Sequence, residues 1–124
     1  MLGGGGTDSS IASGSTTRFL GMYLDAVSTT ESQVQQIAPV GGTLSQFTVR
    51  VVTTPSAGTS WTFTVRLAGA NTAVTCNIPN GSTSCTDSTH SVAVSAGALI
   101  SIGVVPTGSP TSASGITRWV AQLQ

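Results

Sequence analysis

The sequence predicts an all-β protein, a single antiparallel β-sandwich of about eight strands, with the jelly roll favoured. Three observations carry this. Apolar residues alternate with polar ones from Thr17 onward, clusters of turn residues interrupt that alternation every ten or so positions, and no stretch repeats with a helical period. One domain is expected of 124 residues. Such a chain buries roughly two-thirds of its unfolded surface, enough for a core without metal. The pattern also suits an immunoglobulin-like Greek key; the strand number favours the jelly roll.

Residues 1–16 are rich in Gly, Ser and Thr, and Ile11 is the one large apolar side chain after Leu2. The segment predicts a flexible or partner-docked arm, with the sandwich running over 17–124. Its contact with a neighbour would be mostly main-chain hydrogen bonding, as in strand addition to a sheet edge. Gly3, Gly4, Gly5 and Gly6 would let the backbone lie close against its partner. Leu2, these four glycines and Ile11 are therefore the candidate assembly residues. The alternative is an arm folded back on its own domain.

Phe19–Leu24 and Val34–Ala38 are weak strand candidates. Phe47, Val49 and Val51 alternate cleanly with Thr48 and Arg50. Trp61, Phe63, Val65 and Leu67 make the clearest strand, with Thr62, Thr64 and Arg66 on the wet face. Val92 and Val94, then Ile100, Ile102 and Val104, then Trp119, Ala121 and Leu123 continue the series. Turns are expected at 39–42, 54–58, 68–71, 79–81, 96–97 and 106–115.

Cys76 and Cys85 lie symmetrically about Asn80-Gly81, a dipeptide favoured in two-residue type I′ hairpins. Counting outward from Asn80 and Gly81 puts the cysteines opposite each other at a non-hydrogen-bonded pair, close enough for a disulfide. The alternative is two reduced thiols side by side, and Pro79 lacks an N–H that the hairpin would use. A bridge would imply a location outside the cytosol. Asn80-Gly81-Ser82 also fits a glycosylation acceptor, although the turn already accounts for Asn-Gly.

Chemistry is scarce. Four Arg, four Asp or Glu, one His and no Lys stand against 18 Ser and 20 Thr, and charged residues make up 6% of the chain. A soluble surface ordinarily carries roughly a quarter to a third. So little charge suits a subunit packed among neighbours; a Ser/Thr-rich secreted domain is the other reading. Asp87, Ser88 and His90 resemble parts of a catalytic triad in composition, yet Asp87-Ser88-Thr89 reads better as a turn whose carboxylate binds nearby amides. The sequence predicts no catalytic, cofactor or metal site: one His and two Cys cannot supply a zinc site, and no acidic loop suits calcium. Isolated arginines make no nucleic-acid patch, and no apolar run reaches the roughly 18 residues of a membrane helix. The opening at Met1, without basic and apolar regions, predicts that no signal peptide was cleaved.

Thr30–Pro39 followed by Gly41–Arg50, with Thr62–Arg66, Cys76…Cys85-Thr86-Asp87, Thr89–Val92, Ala96–Ile102 and a closing Arg118-Trp119, resembles small jelly-roll and β-sandwich domains of tailed-phage virion surface proteins. The resemblance spans roughly residues 17–123, and its motifs are structural rather than catalytic. Ala68-Gly69 and Ala98 stand where that group often has Asn-Gly and Asp. What it implies is a non-enzymatic structural protein at the virion surface, a capsid decoration (cement) protein first. Its partners would be itself, a trimer by analogy with local threefold positions on capsids, and a major capsid protein or other shell subunit. The alternatives are a subunit of an extracellular pilus-like filament and a glycan-binding fibre module.

Overall fold

The computed structural model describes residues 2–7, 11, 14–111 and 116–124. Two antiparallel sheets pack face to face. Sheet A has the order β1 (Leu2–Thr7), β11 (Thr117–Leu123), β5 (Gly42–Val51) and β8 (Ser84–Asp87), with β9 (Val92–Val94) beside β5. Sheet B has the order β3 (Val27–Ser28), β2 (Arg18–Leu20), β10 (Leu99–Thr107), β6 (Ser60–Leu67) and β7 (Ala70–Pro79), with β4 (Gln36–Ile37) beside β10. A 3₁₀ turn covers Glu31–Gln33.

Setting aside the short strands β3, β4 and β9, eight principal strands remain, the three-residue β2 among them. They divide as β1-β11-β5-β8 and β2-β10-β6-β7. Except for β6 and β7, which form a hairpin within sheet B, successive principal strands cross from one four-stranded sheet to the other, in the double Greek key of a jelly roll. The expected class is therefore the observed one, with eleven strands among the described residues where about eight were expected.

Alternation fills the core. Trp61, Phe63 and Val65 of β6, Ile100, Ile102 and Val104 of β10, and Phe47, Val49 and Val51 of β5 all point between the sheets and are buried. At ~25 cal/mol per Å² of apolar surface, each such side chain stabilises the fold by about 1.5–3 kcal/mol. Leu44 breaks the period yet is also buried. Gln46 explains it: its φ of 53° marks a bulge that returns Leu44 to the inner face, and the register with β11 shifts between Val120 and Gln122. Trp119 packs tilted against Phe47, ring centroids 6.1 Å apart. On the outer face of sheet B, Glu31 pairs with Arg66 at 3.0 Å and accepts from Ser101 at 2.8 Å. Arg66 also lies over Phe19, 5.5 Å from the ring centre.

Two expectations need correction. The first is the hairpin. β7 pairs with β6 in sheet B, and β8 pairs with β5 in sheet A; they do not pair with each other. Pro79 ends β7 opposite Ser60, and the Ser82 amide donates to the Pro79 carbonyl at 3.1 Å, closing a four-residue turn. Gly81 has φ +89° whereas Asn80 is not in the left-handed region, the pattern of a type II turn rather than type I′. Asn80-Gly81 thus carries the chain from one sheet to the other.

The second concerns the arm. Leu2–Thr7 is the first strand of the jelly roll, paired along its whole length with β11 of the same chain. Ile11 is fully buried in the core. The boundary at 16/17 therefore does not separate an arm from the sandwich. Met1 and residues 8–10 and 12–13 of that segment lie outside the described residues, as does 112–115 of the expected 106–115 loop.

Candidate functional site

The candidate assembly residues Leu2–Gly6 form a strand with hydrogen bonds along both edges. On one side it pairs with β11, Gly5 opposite Trp119 and Gly3 opposite Ala121. On the other, the Gly6 amide donates to the Leu24 carbonyl at 3.1 Å. The amides of Tyr23 and Ala26 donate to the carbonyls of Gly4 and Gly6 at 2.7 and 3.1 Å. A parallel bridge joins Gly6 to Asp25. β1 therefore spans the gap between sheet A and the segment that follows β2 of sheet B, closing one side of the sandwich with main-chain bonds.

The slot admits glycine and little else. A methyl group on Gly4 would lie 2.5 Å from the Trp119 carbonyl oxygen, and one on Gly5 or Gly6 would lie closer still to the carbonyl oxygens of Gly21 and Thr117. These are backbone atoms, held in place by the sheets. Gly21 is pinned further, because the buried indole N–H of Trp119 donates to its carbonyl at 3.1 Å. Gly3 differs: a methyl there would meet the flexible Met22 Sδ at 3.3 Å. The Arg118 guanidinium donates to the Thr7 carbonyl at 3.1 Å, holding the end of the strand.

Tyr23 stands at the rim. Its backbone is left-handed, φ 59°, uncommon for a bulky side chain, and the residue is 60% exposed. Its hydroxyl reaches the Leu2 carbonyl at 3.4 Å. Beside it an open groove of about 320 Å³ is lined by Gly5, Gly6, Tyr23, Asp25 and Arg118. Leu2 is 67% exposed.

The opposite side of the sandwich is closed differently. Cys76 of β7 and Cys85 of β8 form a disulfide with Cα atoms 5.7 Å apart. As these strands belong to different sheets, the bond ties the two sheet edges together. Asp87 adds a second tie: its carboxylate accepts from the Thr75 amide of β7 at 3.0 Å and from the amides of Thr89 and His90 at 3.0 Å each. The His90 ring nitrogen Nδ1 lies 2.9 Å from Asp87 Oδ2. The Asp87 turn expected from sequence is present, with an inter-sheet bond added to it.

Burial pushes the Asp87 carboxyl pKa up, but the hydrogen bonds from His90, Thr75 and Thr89 outweigh it and bring it down to about 2, from 3.8. A depressed carboxylate pKa adds stability that is complete above the unfolded value and is lost as pH falls through the folded one. Asp87→Asn is expected to cost about 2 kcal/mol at pH 7. The difference from the parent should shrink between about pH 4 and 2, where the parent itself loses stability. Urea melts at several pH values check this; an equal cost at pH 2 and pH 7 would show that the charge is not responsible.

Asn80 and Gly81 anchor the crossing between the two tied strands. The Asn80 side-chain amide donates to the Pro55 carbonyl at 2.7 Å, and the Gly81 amide donates to Thr54 Oγ1 at 2.7 Å. Among the described residues no three His, Cys, Asp or Glu side chains cluster to hold a metal ion. Nor, among the described residues, is any helix long and apolar enough to cross a membrane. Sequence reading missed Gly21, Tyr23 and Arg118, which build the far wall and end of the β1 slot. The isolated Gly21 within an apolar run was the available signal. No protein-family model matches the chain, and no curated protein matches it.

Proposed function

We propose that this chain is a non-enzymatic structural protein that works within an assembly. In the form its sequence resemblance points to, it is a decoration protein on the surface of a tailed-phage head, partnered by copies of itself, with a trimer favoured, and by a shell subunit. The observation that carries the structural reading is the closure of both open sides of the sandwich, one by a main-chain-bonded glycine strand and the other by a disulfide with a buried carboxylate. A domain tied in this way holds its sheet edges together and leaves fewer unpaired edge groups open to uncontrolled pairing. Its sparse charge adds support, since a neutral hydroxyl-covered surface has little repulsion to overcome on packing.

The glycan-binding alternative draws on aromatic platforms. Trp61 and Trp119 are 0% and 3% exposed, so neither is placed to stack on a sugar, and Tyr23 would have to serve alone.

The test is reconstitution. Heads of the encoding phage assembled without this protein should bind the purified chain saturably, at a fixed copy number, and withstand heating better. Failure to co-sediment, together with absence of the chain from mature particles by mass spectrometry, would overturn the reading.

A further inference from the structure

We propose that the β1 slot is an exchange site in which the glycine strand of one copy is replaced by that of a second copy, so that assembled subunits are linked by swapped first strands. This rests on the structural reading above and names the device that joins the copies. Three observations lead to it.

The slot selects its occupant by exclusion. At three consecutive positions, Gly4, Gly5 and Gly6, a Cβ would collide with a backbone carbonyl oxygen from β11 or from Gly21. Only a run of glycines fits, and Gly3–Gly6 is the chain's only run of more than two. A second copy of this chain supplies that run; a segment with side chains at these positions does not.

The strand is retained almost wholly by main-chain bonds. Leu2 is its one large side chain and is 67% exposed beside Tyr23, so leaving the slot uncovers little apolar surface from the strand itself when Ile11, buried four positions beyond Thr7, stays in its own core. The bonds to β11 and to Tyr23–Ala26 are identical whether the strand comes from the same chain or another. The choice then depends on effective concentration, which rises to the millimolar range among tethered or lattice-held neighbours.

The empty slot is costly, and this makes exchange a joining device rather than mere loss of a strand. Without β1 the amides of Tyr23 and Ala26 and the inward edge of β11 lose their partners. Any copy that gives up its own strand therefore captures another's. Leu2 and Tyr23, exposed together at the entry, extend the contact onto the donor.

The experiment uses two full-length chains, one carrying Leu2→Cys with an affinity tag and the other Gln122→Cys, positions that face each other across β1 and β11. Mixed at high concentration and oxidised mildly, they should form tagged–untagged heterodimers. Yield should exceed by at least tenfold that of Leu2→Cys paired with Thr62→Cys, on the outer face of sheet B. A synthetic peptide of residues 1–7 should compete with cross-linking, and the same peptide carrying Gly5→Ala should not. Heterodimer yield equal to the Thr62→Cys control, or equal competition by both peptides, overturns the exchange. Loss of exchange with head binding intact would refute this inference and leave the structural role standing; exchange without head binding would do the reverse.

Discussion

Gly5→Ala should destabilise the protein by about 3 kcal/mol or more, at the upper end of the range for forcing atoms into a packed site. The added methyl would meet the Gly21 carbonyl oxygen. That oxygen cannot recede without breaking the buried hydrogen bond from the Trp119 indole. Either β1 leaves the slot or the core around Trp119 shifts. Gly3→Ala is the matched control. Its methyl would lie 3.3 Å from the Met22 sulfur, the end of a flexible side chain, and in ordinary contact with the Tyr23 hydroxyl at 3.8 Å, so its cost should stay below about 1 kcal/mol. Both variants lose the same glycine entropy, so the difference isolates the steric term. Equilibrium unfolding in urea measures it. Equal costs at the two positions would show that the slot does not exclude side chains.

Removing the disulfide should have the second largest effect. Cys76 and Cys85 are nine positions apart, and releasing so short a loop costs about 2.5–3 kcal/mol on the chain-entropy estimate. For a domain of this size that is a fall in Tm of about 10 °C. The loss should be local at first, because the bond joins the edge strands of two different sheets. Asp87 is then left as the tie between β7 and β8, through its bond from the Thr75 amide. A Cys76→Ser, Cys85→Ser variant should therefore be more sensitive to Asp87→Asn than the parent. The double-mutant cycle should give a coupling of about 0.5 kcal/mol or more. Strict additivity would mean that the two ties act on separate openings.

What the sequence disclosed and what it withheld follow from one physical distinction. Alternation at Trp61–Leu67 was legible because one face of the strand is buried and the other wet, so every side chain records its direction. Thr17–Leu123 as a sandwich follows from repeating that record. The glycine strand keeps no such record: Gly3–Gly6 carry no side chains. Their significance lies in how near the carbonyls of Trp119, Gly21 and Thr117 approach, atoms more than ten residues distant in the chain. Composition alone makes such a run look like a free arm.

The cysteines show a partial reading. Their bond was legible because the separation is short and symmetric. Their placement on opposite sheets was not, because Asn-Gly serves a type II turn as readily as a type I′ one and only the pairing of flanking strands decides between them. Asp87 was legible as a turn former, since Thr89 and His90 are its sequence neighbours. Its bond to Thr75 across the sandwich was not, for that partner belongs to another strand. Gln46 was illegible for a related reason. A bulge at a residue with a positive φ is a response to the register of β11, and nothing in the local sequence requires it.

The most direct test of the account is native-state hydrogen exchange on the wild-type chain at low micromolar concentration, read at the amides of Gly6, Tyr23 and Ala26, whose hydrogen bonds join β1 to the segment after β2. If the first strand closes the sandwich, these three amides open only with the sheet, with protection comparable to the amides of β11. Exchange of all three at the rate of an unstructured peptide, while β11 stays protected, would contradict it.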